Sequence, residues 1–393
     1  MSTQTEPHPK AKKKSTRDLL HSRMALAMMF FVNGVVFANW ASRIPAVQDR
    51  IGLTERTLGL ALLGVSVGVV LALPLAGGLI ARYSSRTITT LGGLGFVAVL
   101  PFLGFANSFW GLWATLFVFG VSTSLMDVSM NAQAVEVEQR HDKPIMSSFH
   151  AAFSIGFAVG GGMGAAFAGL GVVPLIHFAI VSSVLFIIAL VASRKLVDVP
   201  GEQGTDSPAF TLPPRSLWLL GVVAFCAAIG EGAMADWSVL YLEQIVGVGA
   251  GLAGLGLTAF SLMMTVGRLA GDSLTARFDP VGVVRLGGGL AAGGMGLALL
   301  VPSYIAAMSG FALVGLGIAT VIPLAFSSAG RREGLSSGRG IAGVATIAYS
   351  GFLAGPPVIG LLAEATSLRW ALGVVLALFV LMAATAGAVR RPA

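Results

Sequence analysis

The fold class this sequence predicts is an all-α membrane protein, with twelve transmembrane helices in two pseudo-symmetric six-helix bundles, and three observations predict it. First, 55% of the 393 residues are hydrophobic and only 11% charged, a composition far too apolar for a soluble chain of this size. Second, the basic residues flank apolar runs instead of punctuating them. Third, segments of the first half return in the second at a constant offset.

A hydrocarbon core about 30 Å thick takes about 20 apolar residues in helical form. Runs of that length occupy Arg23 to Ile44, Leu58 to Ile80, Thr87 to Phe105, Trp110 to Ala134, Ile145 to Gly169 and Val173 to Ala192. After a polar interval come Leu217 to Leu242, Leu252 to Ala270, Val281 to Leu300, Ile305 to Ala329, Ile341 to Ala363 and Trp370 to Val389. Lys10, Lys12, Lys13, Lys14, Arg17 and Arg23 precede the first run; tail and run are too long for a cleaved signal peptide, so the first helix is expected to be retained. Trp110, Trp218 and Trp370 stand at span starts, where interfacial anchors belong. Pro323 in the tenth span and Pro356-Pro357 in the eleventh are expected to kink their helices.

Alternate loops differ in charge. Arg82, Arg86, Arg140, Lys143, Arg194, Lys195, Arg215, Arg277, Arg285, Arg331, Arg332, Arg339, Arg390 and Arg391 fall on the side of the N-terminal tail. The opposite side has Arg43, Arg50, Arg56 and Arg369. The bias predicts that the first side is the cytoplasm, with both termini there.

The repeat shows in Leu79-Ile80-Ala81-Arg82-Tyr83 against Leu274-Thr275-Ala276-Arg277-Phe278, and in Leu91-Gly92-Gly93 against Leu286-Gly287-Gly288, all 195 residues apart. The expected organisation is a cytoplasmic tail (1–21), an N-terminal six-helix bundle (22–193), a cytoplasmic linker (194–215) rich in charge and proline, a C-terminal six-helix bundle (216–389) and a cytoplasmic end (390–393). Small-xxx-small pairs such as Gly64/Gly68, Gly156/Gly160, Gly267/Gly271 and Gly351/Gly355 are expected to let the two bundles approach and rock.

Charge within the spans marks a functional site, because an ionisable group at bilayer depth costs about 2.5 to 3.5 kcal/mol on insertion scales. Asp127 in the fourth span, and Glu231 and Asp236 in the seventh, are the candidates for binding and releasing protons. Glu231 and Asp236 are about 140° apart around a helix and need not share a site. Asn33, Asn39, Asn131, Gln133 and His150 would hydrogen-bond a polar solute, with Trp40 and Trp237 as stacking or gating surfaces.

The two parallel halves, the basic loop and the central linker resemble the major facilitator superfamily over nearly the whole chain. That family's second-to-third-helix loop is matched by Gly77-Gly78-Leu79-Ile80-Ala81-Arg82-Tyr83-Ser84-Ser85-Arg86, which departs at Ala81, where an Asp belongs, and at Ser84, where a Gly belongs. The resemblance implies conformational latch roles for Gly77, Arg82, Arg86 and Arg277; the missing acid at Ala81 points to Arg268 with Asp272, four residues apart, as part of a substitute latch. Asp127 with Asn131 and Phe37-Ala38-Asn39 are similar to the fucose-permease branch, near which rhizopine-permease-like relatives lie. It also implies that the first, fourth, seventh and tenth helices line a central cavity.

The expectation is a monomeric, proton-coupled secondary transporter of a small polar organic solute, sugar-like or cyclitol-like. Proton-driven efflux of amphipathic compounds and a membrane-embedded acid/base enzyme are the rivals. No phosphate-binding loop occurs and the five histidines are scattered, so neither cofactor nor metal is expected, and the placement of the basic residues argues against nucleic acid.

Overall fold

The computed structural model describes residues 16–140, 145–197, 214–332 and 337–390. These residues form α1 (Thr16–Ala41), α2 (Ile44–Ile51), α3 (Glu55–Tyr83), α4 (Ser85–Phe105), α5 (Phe109–Gln139), α6 (Met146–Gly169) and α7 (Pro174–Ser193). The second half comprises α8 (Trp218–Tyr241), α9 (Ala250–Arg277), α10 (Pro280–Leu300), α11 (Tyr304–Ile318), α12 (Val321–Gly330), α13 (Ser337–Ala365) and α14 (Leu368–Ala384). Among the described residues, eleven helical stretches are long and apolar enough to cross a membrane, and Leu368–Ala384 is a shorter apolar helix. Helices are what hydrocarbon permits here, since a helix satisfies its backbone polar groups internally.

Where helices begin near water, side chains cap them: Ser108 accepts from the Gly111 N–H, and Asp279 accepts from Val281 and Gly282, followed by Pro280 at the first helical position. The first helix starts at Thr16, before the apolar run at Arg23, because helical structure continues past the hydropathic boundary. The last α-helix ends at Ala384, and a 3₁₀ turn over Ala386–Val389 carries helical structure on to the expected Val389. The expected kink in the tenth span is a break. Pro323 has no N–H to give the Ala319 carbonyl, and α11 and α12 separate at Ala319 and Thr320. Pro356 and Pro357, by contrast, lie inside a continuous α13.

The duplication is visible in the packing. Helix α1 packs on α6, α3 on α5, and α4 on α5 and α7; in the second half α8 packs on α13, α9 on α11, and α10 on α11 and α14. A methyl group on Gly120 would collide with the Val65 carbonyl oxygen, and one on Gly315 with the Phe260 oxygen, both pairs being related by the 195-residue offset. Gly52 and Gly247, similarly related, both turn the chain at positive φ, 75° and 77°.

The expected role of the small-residue pairs needs correction. Gly64 and Gly68 press on α5, Gly156 and Gly160 on α1, Gly267 on α11 and Gly351 on α8, all within one half. The halves meet instead along α6 with α9 and α3 with α13. That seam uses other small residues: a methyl on Gly59 would collide with the Pro356 oxygen, one on Gly251 would lie 2.8 Å from the Gly169 Cα, and one on Gly254 2.9 Å from the Ala165 Cα. All lie toward the face opposite the N-terminal start of α1, called here the far face; the other is the basic face.

Three of the four arginines on the far face are held by carbonyls. Arg50 donates to the Gly104 and Ala106 oxygens at the end of α4, Arg369 to Leu299 at the end of α10, and Arg43 to Val172. A cation at a helix C-terminus answers unpaired carbonyls and the helix dipole together. Burial pulls the Arg43 guanidinium below its ordinary pKa, against which the Glu243 carboxylate acts.

At the corner between α3 and α4, Ser84 stands at φ 75°, ψ 153°, a conformation that only glycine adopts freely and that costs other residues about 1–3 kcal/mol. The departure from the family's loop pattern therefore keeps the backbone of a glycine. Replacing Ser84 by Gly is expected to raise stability by about 1 kcal/mol, read as a higher midpoint of thermal unfolding in detergent; an unchanged or lower midpoint would show that the corner is not strained.

Candidate functional site

Between the two halves lies a cavity of about 280 Å³, close to the lower end of the size range of small-molecule sites. Helix α1 contributes Phe37 and Trp40, α3 Leu62, Val65, Ser66, Val69 and Val70, and α6 Phe153, Ser154 and Phe157. From the other half come Glu231, Gly232, Ala235 and Asp236 on α8, Phe260, Ser261, Met264 and Arg268 on α9, and Tyr349, Phe352 and Pro356 on α13. The walls are largely aromatic and aliphatic, with charge at three positions.

The spacing of the α8 residues explains how two acids reach one space. Glu231, Gly232, Ala235 and Asp236 form an i, i+1, i+4, i+5 stripe, so a cavity spanning a wide arc of the helix takes in both Glu231 and Asp236. Trp237, one residue further, points elsewhere and is fully buried. The same geometry divides α1: Phe37 and Trp40 are three apart and share the cavity face, whereas Asn39 is turned about 100° away. Asn39 is buried, bonded to the Val35 oxygen at 2.8 Å and to the His177 ring at 2.7 Å.

Glu231 is not alone. Its Oε1 accepts from the Arg268 guanidinium at 3.2 Å, and the same guanidinium donates to the Ser154 hydroxyl of the opposite half at 3.1 Å. Arg268 is thus a cavity residue holding an acid, where the sequence reading made it a loop latch with Asp272; the Asp272 side chain falls outside the described residues. Among the described residues two ion pairs form, and of these only Glu231–Arg268 joins different helices. Asp236 has no hydrogen-bonding or ionic partner among the described residues; Arg43 is engaged with Val172 instead.

Asp127 sits outside the lining, exposed, and within electrostatic reach of Tyr349 across the gap between the halves. Asn131 donates to its carboxylate at 3.2 Å and its backbone oxygen at 2.9 Å. His150 is exposed, edge-on to Phe30 with ring centres 5.4 Å apart, and within electrostatic reach of Arg268. Asn33 is buried outside the lining. Gln133 is fully buried and accepts from the Val197 N–H, bracing the start of the central linker.

The loop residues form no bridge between halves among the described residues. A methyl on Gly77 would meet nothing within 4 Å, Arg82 lies over the Tyr83 ring at 5.1 Å, Arg86 donates to the Arg194 oxygen and Arg277 is exposed. The hydrogen bonds that join the halves are Thr54 to Glu364, Gln244 to Glu55, Ser66 to the Phe352 oxygen and Arg268 to Ser154. They lie at the far face or at cavity level.

Ser66, Ser154 and Tyr349 were missed by the sequence reading because hydroxyls are common in apolar helices and carry no cost that flags them. Arg268 did carry such a flag: it is a charge inside a predicted span, like Glu231.

Two bundles of six spans related by duplication, with a cavity between them and charged side chains lining it, are the architecture of a membrane transporter. The family model of the Major Facilitator Superfamily matches residues 26–334, and the chain belongs to that family. It is 36% identical over 388 residues to an uncharacterized MFS-type transporter of Yersinia pestis, covering 98% of this chain and 100% of that one. The fold is also that of a mutant of the nucleoside transporter NupG, with a TM-score of 0.76 at 12% identity over 93% of this chain and 99% of that chain. The outward conformation of FucP, another Major Facilitator Superfamily transporter, aligns with a TM-score of 0.64 at 16% identity over 96% and 100%. The chain is a multi-pass membrane transporter and not an enzyme.

Arg268 and Glu231 should behave as one unit. Losing either leaves a charge unpaired in a half-buried site, so Arg268→Ala and Glu231→Ala together are expected to destabilise less than the sum of the singles, by about 1–2 kcal/mol of coupling. Thermal unfolding of the four proteins in nanodiscs measures it; additive effects would mean that the pair contributes nothing.

Proposed function

We propose that the chain is a proton-coupled secondary transporter moving a small organic solute through the central cavity by alternating access. The observation that carries the reading is Glu231 facing the cavity, held by an arginine that also bonds the opposite half. Protonating Glu231 removes the charge that fixes Arg268, and the bond from Arg268 to Ser154 ties that event to the position of the halves. Asp127 and Asp236 are further proton sites in this reading. A proton moving down the membrane potential supplies about 2.3 kcal/mol per 100 mV.

In the proposed orientation the basic face is cytoplasmic, both termini lie there and the membrane is the bacterial inner membrane. The far face is then the closed outer gate, the cavity opens inward, and one chain suffices. Of the solute readings, the lining favours an amphipathic molecule over a sugar. The hydroxyl protons of Ser66, Ser154 and Ser261 are all given to backbone oxygens of Phe352, His150 and Leu257, which leaves few donors for a polyhydroxylated solute.

In proteoliposomes with an imposed pH gradient, screened with hexoses, inositol and phenylalkylamines, Glu231→Gln is expected to lower concentrative uptake about tenfold or more, a loss of about 1.4 kcal/mol of coupling. Uptake against a gradient that survives unchanged in both Glu231→Gln and Asp127→Asn would overturn proton coupling at these residues. In a Cys226→Ser background, bridging Thr54→Cys to Glu364→Cys with a short reducible cross-linker is expected to stop transport, and reduction to restore it. Full transport with the bridge intact would refute a moving far-face gate.

A further inference from the structure

The charges in the cavity do not cancel. Glu231 is balanced by Arg268 at 3.2 Å, while Asp236 lines the same space with no partner among the described residues. The lining groups that are charged or titratable are Glu231, Asp236, Arg268 and Tyr349; α1, α3 and α6 add none to the wall itself. Asp127, outside the lining near Tyr349, adds further negative charge. An anionic solute would meet a guanidinium already committed to Glu231 and Ser154, together with an unbalanced carboxylate.

The walls of the cavity that Asp236 lines are π-rich. Phe37 and Trp40 come from one half, Phe260 and Phe352 from the other, and all face the same cavity. Aromatic faces attract a cation and stack on an apolar body. An unpaired carboxylate within hydrocarbon depth and aromatic walls together favour a positively charged amphipathic molecule, which answers the carboxylate where a neutral solute would leave it to a proton.

We propose that Asp236 is the counter-ion for the ammonium group of an amphipathic organic amine whose apolar body lies against the aromatic walls of the central cavity. The assignment rests on the reading of this cavity as the transport site and names the chemistry of what it takes. Asp236 binds the N⁺–H groups directly, a charge-assisted contact of about twice the strength of a neutral hydrogen bond. Arg268 keeps Glu231 from competing for the same ammonium.

The test is equilibrium binding to the full-length protein in nanodiscs, by calorimetry at one pH and without a gradient. The probes are 4-phenylbutylamine, 4-phenylbutan-1-ol and 4-phenylbutanoate, which differ at the head group alone. The amine is expected to bind the parent protein about tenfold tighter than the alcohol or more. Asp236→Asn is expected to remove that preference, the amine-to-alcohol affinity ratio falling to about one, and Asp236→Glu to retain it. Equal binding of amine and alcohol by the parent, tighter binding of the carboxylate, or an amine preference that survives Asp236→Asn would each overturn the assignment. The parent comparison decides the matter even where a variant does not fold. An amine preference without proton-coupled transport in proteoliposomes would sink the coupling reading alone, and proton-coupled transport without amine preference would sink this assignment alone.

Discussion

Lipid tails are as apolar as leucine, so a membrane bundle gains little from pressing greasy surfaces together, and it must be held by backbones that come close. This condition shapes the molecule. Gly120 against the Val65 carbonyl, Gly156 against Phe31 and Gly315 against Phe260 remove the Cβ that would keep helices apart, and each contact lies inside one half. Between the halves the tight crossings are confined to the far-face part of the seam, at Gly59, Gly169, Gly251 and Gly360. Each half is therefore stitched along its helices, while the two are joined across a shorter length. In a rocking transporter the elements that stay rigid carry the first kind of contact, and those that part carry the second.

The same solvent explains where charge is allowed. At the far face, arginines that run against the overall charge bias are spent on helix-end carbonyls: Arg50 on α4 and Arg369 on α10. Within the spans, Glu231 is paired with Arg268, and Arg268 is steadied in turn by a hydroxyl from the other half. The electrostatic balance of the cavity is thereby linked to the relation between the halves. Asp236 lacks such an answer among the described residues, which gives it a different character from Glu231 although the two lie on the same helix.

Much of the fold was legible because its causes are cumulative. Twenty-residue apolar runs, the sidedness of Lys and Arg and a 195-residue repeat each sum over many residues, so errors at single positions do not matter. The site was legible only in part. Glu231 and Asp236 stand out because charge in hydrocarbon is costly, and Arg268 stands out for the same reason, although its pairing with Glu231 was not read. Asn39, Gln133 and Trp237 were assigned to the solute by chemistry alone, and each is buried inside a half: Asn39 on His177, Gln133 on the start of the linker, Trp237 within the core. A helix apolar on every side has no polar face from which its orientation can be read, so a turn of about 100° between Asn39 and Trp40 separates packing from cavity.

By itself the sequence determined that the chain spans a bilayer, how many times, with which loops basic, and that one half copies the other, since these follow from solvation costs paid residue by residue. Only the tertiary structure decided which glycines join the halves, that Arg268 pairs with Glu231, and that Asp236 lines the same cavity as the aromatic residues with no partner among the described residues. Those are matters of rotation about a helix axis and of which helices become neighbours, and they are fixed by packing between segments far apart in the chain.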